Sequence, residues 1–140
     1  LYANASTGLD VLRRDGLQSM KTDTEDIVIT RNVIFNGKYL FVNVDGPWGI
    51  LYVEVCNKDG EALQGFTLTG CLPVSKDSTR HPVSWKNENS VALFAGKPVR
   101  FKFYLNNTKL YAFWVSQNIQ GASNGAIAAG GPGLNGYWDI

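Results

Sequence analysis

The sequence predicts an all-β fold, an antiparallel β-sandwich of jelly-roll character followed by a Gly/Ala-rich coil. Three observations carry this. Seven or eight short stretches rich in Val, Ile, Phe and Tyr follow one another. The breaks between them are turn pairs such as Asn36-Gly37 and Asp59-Gly60. Almost no stretch has the apolar period of a helix. The 140 residues suit one domain with a real core, which we place at residues 1–116, with a tail at 117–140.

Residues 1–10 are small and polar without a period. Next come Arg13, Arg14 and Asp15 ahead of Gly16. A guanidinium pair there suits an acidic sugar or a carboxylate. The plainer reading, which we favour, is an internal Arg–Asp pair pinning the first strand to a neighbouring loop. Asp23, Glu25 and Asp26 read as an acidic, solvated turn without the spacing of a calcium loop.

Residues 27–35 read as a strand, and Asn36-Gly37 as the turn of a hairpin. The return strand is 39–44, with Leu40, Val42 and Val44 on one face. Residues 45–49 make a turn that carries Trp48. Residues 50–56 form a strand with Leu51, Val53 and Val55 inward, closed by a turn at 57–60. The stretch 63–72 reads as a broken strand, interrupted by Gly65 and Gly70. Residues 73–80 read as a loop with Asp77 and Arg80 in its polar centre, ahead of the lone His81. Val83 and Trp85 share one side of a short strand, and 91–96 is a helical turn or a loop anchored by Leu93 and Phe94. Residues 97–116 hold the densest aromatic content and read as a hairpin turning at 106–109, because Asn tolerates left-handed backbone. The tail, six of whose residues are Gly, either wraps the sandwich or leads to a neighbour.

The chemistry is sparse. A net charge of +1 gives no electrostatic case for nucleic acid or an anionic membrane, and no apolar run is long enough to span a bilayer. Gly-x-Ser-x-Gly, zinc spacing and a phosphate loop are missing, and nothing beside His81 suggests a triad, so no catalytic residue, cofactor or metal is expected. Twelve carboxylates leave a glycosidase pair open, but Glu54 falls on the non-core face of its strand and Asp59 in a turn, neither of them buried enough for a raised pKa. The four tryptophans offer a stacking platform for a sugar ring. Trp48 is the best candidate because its turn leaves burial open, and Trp114 is expected in the core. Cys56 and Cys71 are a candidate disulfide that would add about 3 kcal/mol, but two separate thiols are the reading we favour, since two cysteines are not a disulfide framework. Asn4 and Asn106 each begin a glycosylation acceptor triplet. With no initiator Met and no signal peptide, the chain is expected to be processed from something longer.

Several stretches occur together in order. They are Leu12-Arg-Arg-Asp-Gly16, Gly37-Lys-Tyr-Leu-Phe-Val-Asn-Val-Asp45, Asp77-Ser-Thr-Arg80, Val83-Ser-Trp-Lys86, Leu93-Phe-Ala-Gly-Lys-Pro-Val-Arg-Phe101, Leu110-Tyr-Ala-Phe-Trp114 and the glycine-rich run 121–133. This ordered set, covering nearly the whole chain, resembles the C-terminal β-sandwich region of large secreted proteins that look like glycoside hydrolases with a β-propeller catalytic part. Cys56 and Tyr137-Trp138 depart from that pattern. The resemblance implies a secreted accessory module packed beside a propeller, with Arg13, Arg14 and Asp15 near the junction and Asp77 and Arg80 in a polar loop.

The leading expectation is therefore a non-catalytic module that docks a catalytic domain or binds glycan weakly, with Trp48, Arg13, Arg14, Asp77 and Arg80 as candidate contacts. A structural subunit of an extracellular assembly, self-associating by strand or tail exchange, is the second reading. A cryptic glycoside hydrolase is the third.

Overall fold

The structure, a computed structural model, describes residue 9 and residues 12–123. Five strands form one antiparallel sheet: β1 (Met20–Ile29), β2 (Tyr39–Asp45), β3 (Ile50–Cys56), β4 (Asp77–Pro82) and β5 (Arg100–Ser116). The described residues contain no α-helix, only a 3-10 turn at Ala92–Phe94.

β5 organises the sheet. It is one strand of 17 residues and not the hairpin that the sequence suggests. Along one edge its first half pairs with β3, from Cys56 opposite Arg100 to Ile50 opposite Asn106. Its second half pairs with β2, from Asp45 opposite Lys109 to Tyr39 opposite Ser116. Lys102 faces Ile29 as well as Glu54, so β1 runs along the opposite edge. β2 and β3 are thus successive lengths of one line, and β4 pairs with β2 beyond them.

Asn107 explains the misreading. It has the left-handed backbone (φ 46°) that an Asn-Asn turn would use, but the chain goes straight on. The conformation makes a kink, with residues 46–49 looped out on one side and a register shift in β1 on the other. Gly49 lies so close to this kink that a Cβ would sit 2.0 Å from the Asn107 carbonyl. Asn36-Gly37 is likewise no hairpin turn, since β1 pairs with β5 and not with β2. Gly37 is needed there because a Cβ would meet the Val115 carbonyl at 2.3 Å.

Three further segments depart from expectation. The acidic stretch 23–26 belongs to β1, and residues 77–80 belong to β4, both being sheet-edge strands where polar side chains stay wet. Residues 63–72 form successive turns and isolated bridges, not a strand, because Gly65 adopts φ 87° and the chain folds around Phe66.

The core lies against one face of the sheet. Leu40, Val42 and Val44 of β2, Leu51, Val53 and Val55 of β3, and Phe101, Phe103 and Leu105 of β5 are buried there. Each such side chain contributes on the order of 2 kcal/mol. The opposing layer is built from connecting segments that bring in Phe66, Val74, Val83, Trp85, Val91 and Phe94. Phe66 packs edge-on to Trp85 and Phe94, and Trp85 Nε1 donates to the Val53 carbonyl at 3.1 Å. Leu93 is exposed, and Val91 anchors this stretch instead. This two-layer packing is compatible with a sandwich or jelly roll.

β2 is buried on its second face too. There Phe41 stacks on Trp114 (centroids 5.7 Å apart), Trp114 Nε1 donates to the Gly121 carbonyl and Ala122 is buried. Gly121 and Ala122 therefore lie against the sheet; the expectation for the tail beyond residue 123 falls outside the described residues.

Candidate functional site

Trp48 is 89% exposed at the tip of the 46–49 loop-out. The loop beneath it is well held. Gly49 N–H donates to the Gly46 carbonyl (3.1 Å), Gly46 N–H to the Lys76 carbonyl (3.1 Å), Ser75 Oγ to the Gly49 carbonyl (2.7 Å) and Asn107 Nδ2 to the Trp48 carbonyl (3.3 Å). An indole is thus presented to water on an ordered base. Beside it is a small depression of about 190 Å³ lined by Lys21, Asp45, Pro47, Asn107 and Lys109. Lys109 Nζ bonds the Asp45 carboxylate at 3.0 Å, which raises the Lys109 pKa. Among the other tryptophans Trp85 is in the core and Trp114 is half-buried. Trp138 lies outside the described residues.

Arg13 is spent within the fold. Its Nε donates to Asn43 Oδ1 (2.7 Å), its terminal nitrogens to Asp77 Oδ1 (2.5 Å) and to the Val44 carbonyl (2.8 Å), and its guanidinium lies 4.7 Å from the centre of the Tyr111 ring. Asn43 Nδ2 returns a bond to the Arg14 carbonyl at 2.6 Å. An internal Arg–Asp pin is present, but it ties the non-strand segment before β1, not the first strand, to strand β4 instead of a loop. Arg13 and Asp77 are consumed by each other and by β2, which leaves little for a ligand. Arg14 lies 4.0 Å from Asp15. Arg80 is exposed at the β4 edge, away from Trp48's turn in the sequence. Of the five candidate contacts, Arg13 and Asp77 meet directly, and Asp77 is paired across the sheet with Asp45 beside the Trp48 turn.

The candidate disulfide is not formed; Cys56 and Cys71 are both free and buried. Cys56 shares a face of β3 with Glu54, whereas Cys71 Sγ accepts from the Val53 amide at 3.2 Å, three positions along the strand. Desolvation raises both thiols, Cys71 to about 11, so neither is a ready nucleophile. Asn106 does not offer an exposed acceptor loop: it lies mid-strand between Ile50 and Glu25, and Thr108 of its triplet is buried. Asn4 lies outside the described residues.

An open trough was missed in the sequence. On the face of β1, β5 and β3 away from the core, Ile27, Ile50, Tyr52 and Tyr104 floor an open trough walled by Leu68, Leu72 and Pro73, about 980 Å³ in volume. Glu54 sits beneath its wall and, contrary to expectation, is buried. Tyr104 Oη donates to Glu54 Oε2 at 2.9 Å, the Leu68 amide to Oε1 at 3.3 Å, and Lys102 Nζ is 3.8 Å away. Burial, reinforced by the Glu54 bond, pushes the Tyr104 phenol up to about 12. Alternation alone could not reveal this, because the cover on Glu54 comes from a turn at 67–70.

Glu54 has a tyrosine, an amide, a lysine and a thiol around it, and no second carboxylate bonds it. Glu25, a carboxylate on the trough rim, is four positions along and across β5, about 17 Å away at the Cα level. A hydrolytic pair needs its carboxyls about 5–9.5 Å apart.

No protein-family model, curated protein or solved structure matches the chain. Among the described residues no helix is long and apolar enough to cross a membrane.

Proposed function

We propose that this chain is a non-catalytic accessory module of a secreted carbohydrate-active protein, and that it binds glycan weakly through Trp48. The single observation supporting this is an 89% exposed indole on a hydrogen-bonded loop. Holding so large an apolar surface in water has no folding benefit, whereas a ring face in that position suits the apolar face of a sugar. Lys109 and Asp45 beside it are bonded to each other at 3.0 Å, and the ammonium and carboxylate keep further donor and acceptor positions for hydroxyls. The shallow depression fits weak binding to a chain end or a surface, not enclosure of a substrate. The resemblance of the ordered motifs to those of propeller-bearing secreted proteins points to the same role.

The test is tryptophan fluorescence and heteronuclear NMR titration with neutral oligosaccharides of glucose, xylose, mannose and galactose. Binding is expected to shift Trp48's indole signal and the amides of 45–49. Trp48→Ala should abolish it while changing stability by no more than about 0.5 kcal/mol, as for a surface residue. If no sugar moves those signals, glycan binding by this surface is wrong. Docking to a neighbouring domain is the second reading, favoured by exposed Leu12 and Leu17 on the segment preceding β1.

A further inference from the structure

We infer that the open edge of β1 is a docking site for an extended partner segment carrying aliphatic residues followed by basic ones. β1 pairs with β5 on one side and with no described strand on the other. Thr30 N–H donates to the Phe101 carbonyl at 3.0 Å, so antiparallel alternation turns the amides of Asp26 and Val28 toward β5. Those of Glu25, Ile27 and Ile29 then face outward. Ile27 N–H agrees, since it is taken by the Asp26 carboxylate at 2.7 Å and not by β5. From Glu25 to Ile29 the register with β5 is unbroken, which is length enough to template another strand.

Side chains specify the guest. Ile27 and Ile29 are each about half exposed on the trough face, and ask for aliphatic partners opposite them. Glu25 and Asp26 ask for basic ones. Lys21 does not neutralise them, because it is paired with Asp23 at 2.7 Å. A second copy is a poor guest, since β1 against β1 crowds two acidic triplets on one ribbon. A glycan is also a poor guest. The trough is floored by aliphatic side chains and tyrosine, and the Tyr104 hydroxyl is committed to Glu54. Run antiparallel, the complementary order is aliphatic, any, aliphatic, basic, basic.

The probe is a blocked heptapeptide, Thr-Val-Thr-Val-Lys-Lys-Thr, titrated into the full chain with amide shifts recorded by NMR. Amides 25–29 are expected to move, with affinity that falls as salt rises. A version carrying Glu-Glu for Lys-Lys should bind at least about tenfold more weakly, a difference of about 1.4 kcal/mol. Glu25→Lys should weaken the Lys-Lys peptide by about the same factor. Lys38→Glu, a charge reversal just before β2 beside Ser116 at the far end of β5, should leave it unchanged. No shift by roughly 1 mM peptide, a reading in the weakest affinity range, overturns the inference. So do equal affinities for the two peptides, shifts confined to the Trp48 loop, or concentration-dependent dimerisation through amides 25–29, which would make a second copy the guest. None of these readouts depends on whether Trp48 binds sugar.

Discussion

Tyr104 and Glu54 meet across two strands, and their pairing sets a pH dependence. The folded phenol holds its proton to about 12, against about 10 in an unfolded chain. Below pH 10 both states are protonated and the contribution to stability is fully present. As pH rises from 10 through 12, the unfolded state ionises first and the contribution is lost. Urea unfolding at pH 8 and pH 11 should show this loss, and Tyr104→Phe should remove most of the difference. At pH 8 the same substitution should cost about 1.5–3 kcal/mol, because it takes a donor from a buried carboxylate. A Tyr104→Phe protein as stable as the parent at pH 8 would mean that the bond is not made in solution. Trp48 is the reverse case, a large side chain whose removal the fold should scarcely feel.

Among the elements, β2 and β3 were legible almost to the residue, since Leu40-Val42-Val44 and Leu51-Val53-Val55 alternate cleanly and each sits on a buried face. β5 was legible as strand but not as one strand. Asn107 supplies left-handed backbone equally to a turn and to a kink, and only the partners on both edges decide between them. β1 was half hidden because Asp23, Glu25 and Asp26 are poor strand formers, tolerated where one edge meets water. The candidate site divides in the same way. Trp48 was found from its local Gly-Pro-Trp-Gly setting, while the trough depends on three strands and a distant turn. If the kink is what holds the loop-out in place, Asn107→Val should cost about 1–2 kcal/mol, since a β-branched residue resists φ 46°. Asn107→Gly should cost less. Equal losses on denaturation would point instead to the Asn107 side-chain bond with the Trp48 carbonyl.

Across the whole molecule, Arg13 ties the segment before β1 to the far side of the sheet. Its bonds to buried Asn43 and to the Val44 carbonyl count for more than its ion pair, because the Asp77 side chain is 58% exposed and screened by water. Arg13→Ala should therefore cost about 3 kcal/mol, leaving Asn43 short of a partner. Asp77→Ala should cost no more than about 1 kcal/mol, as measured by chemical denaturation. Equal losses would show that the ion pair carries the tie.

β5 has a consequence for how the chain is made. Three of the other four described strands pair with it, yet it is the last of them to leave the ribosome. Until β5 has emerged, β1 lacks its strand partner, β3 has only isolated bridges and β2 has only β4, and their apolar faces stand open to chaperones and to neighbouring nascent chains. Completion of this sheet therefore waits for the synthesis of β5, and a pause before it prolongs the stage at which the chain is most prone to aggregate.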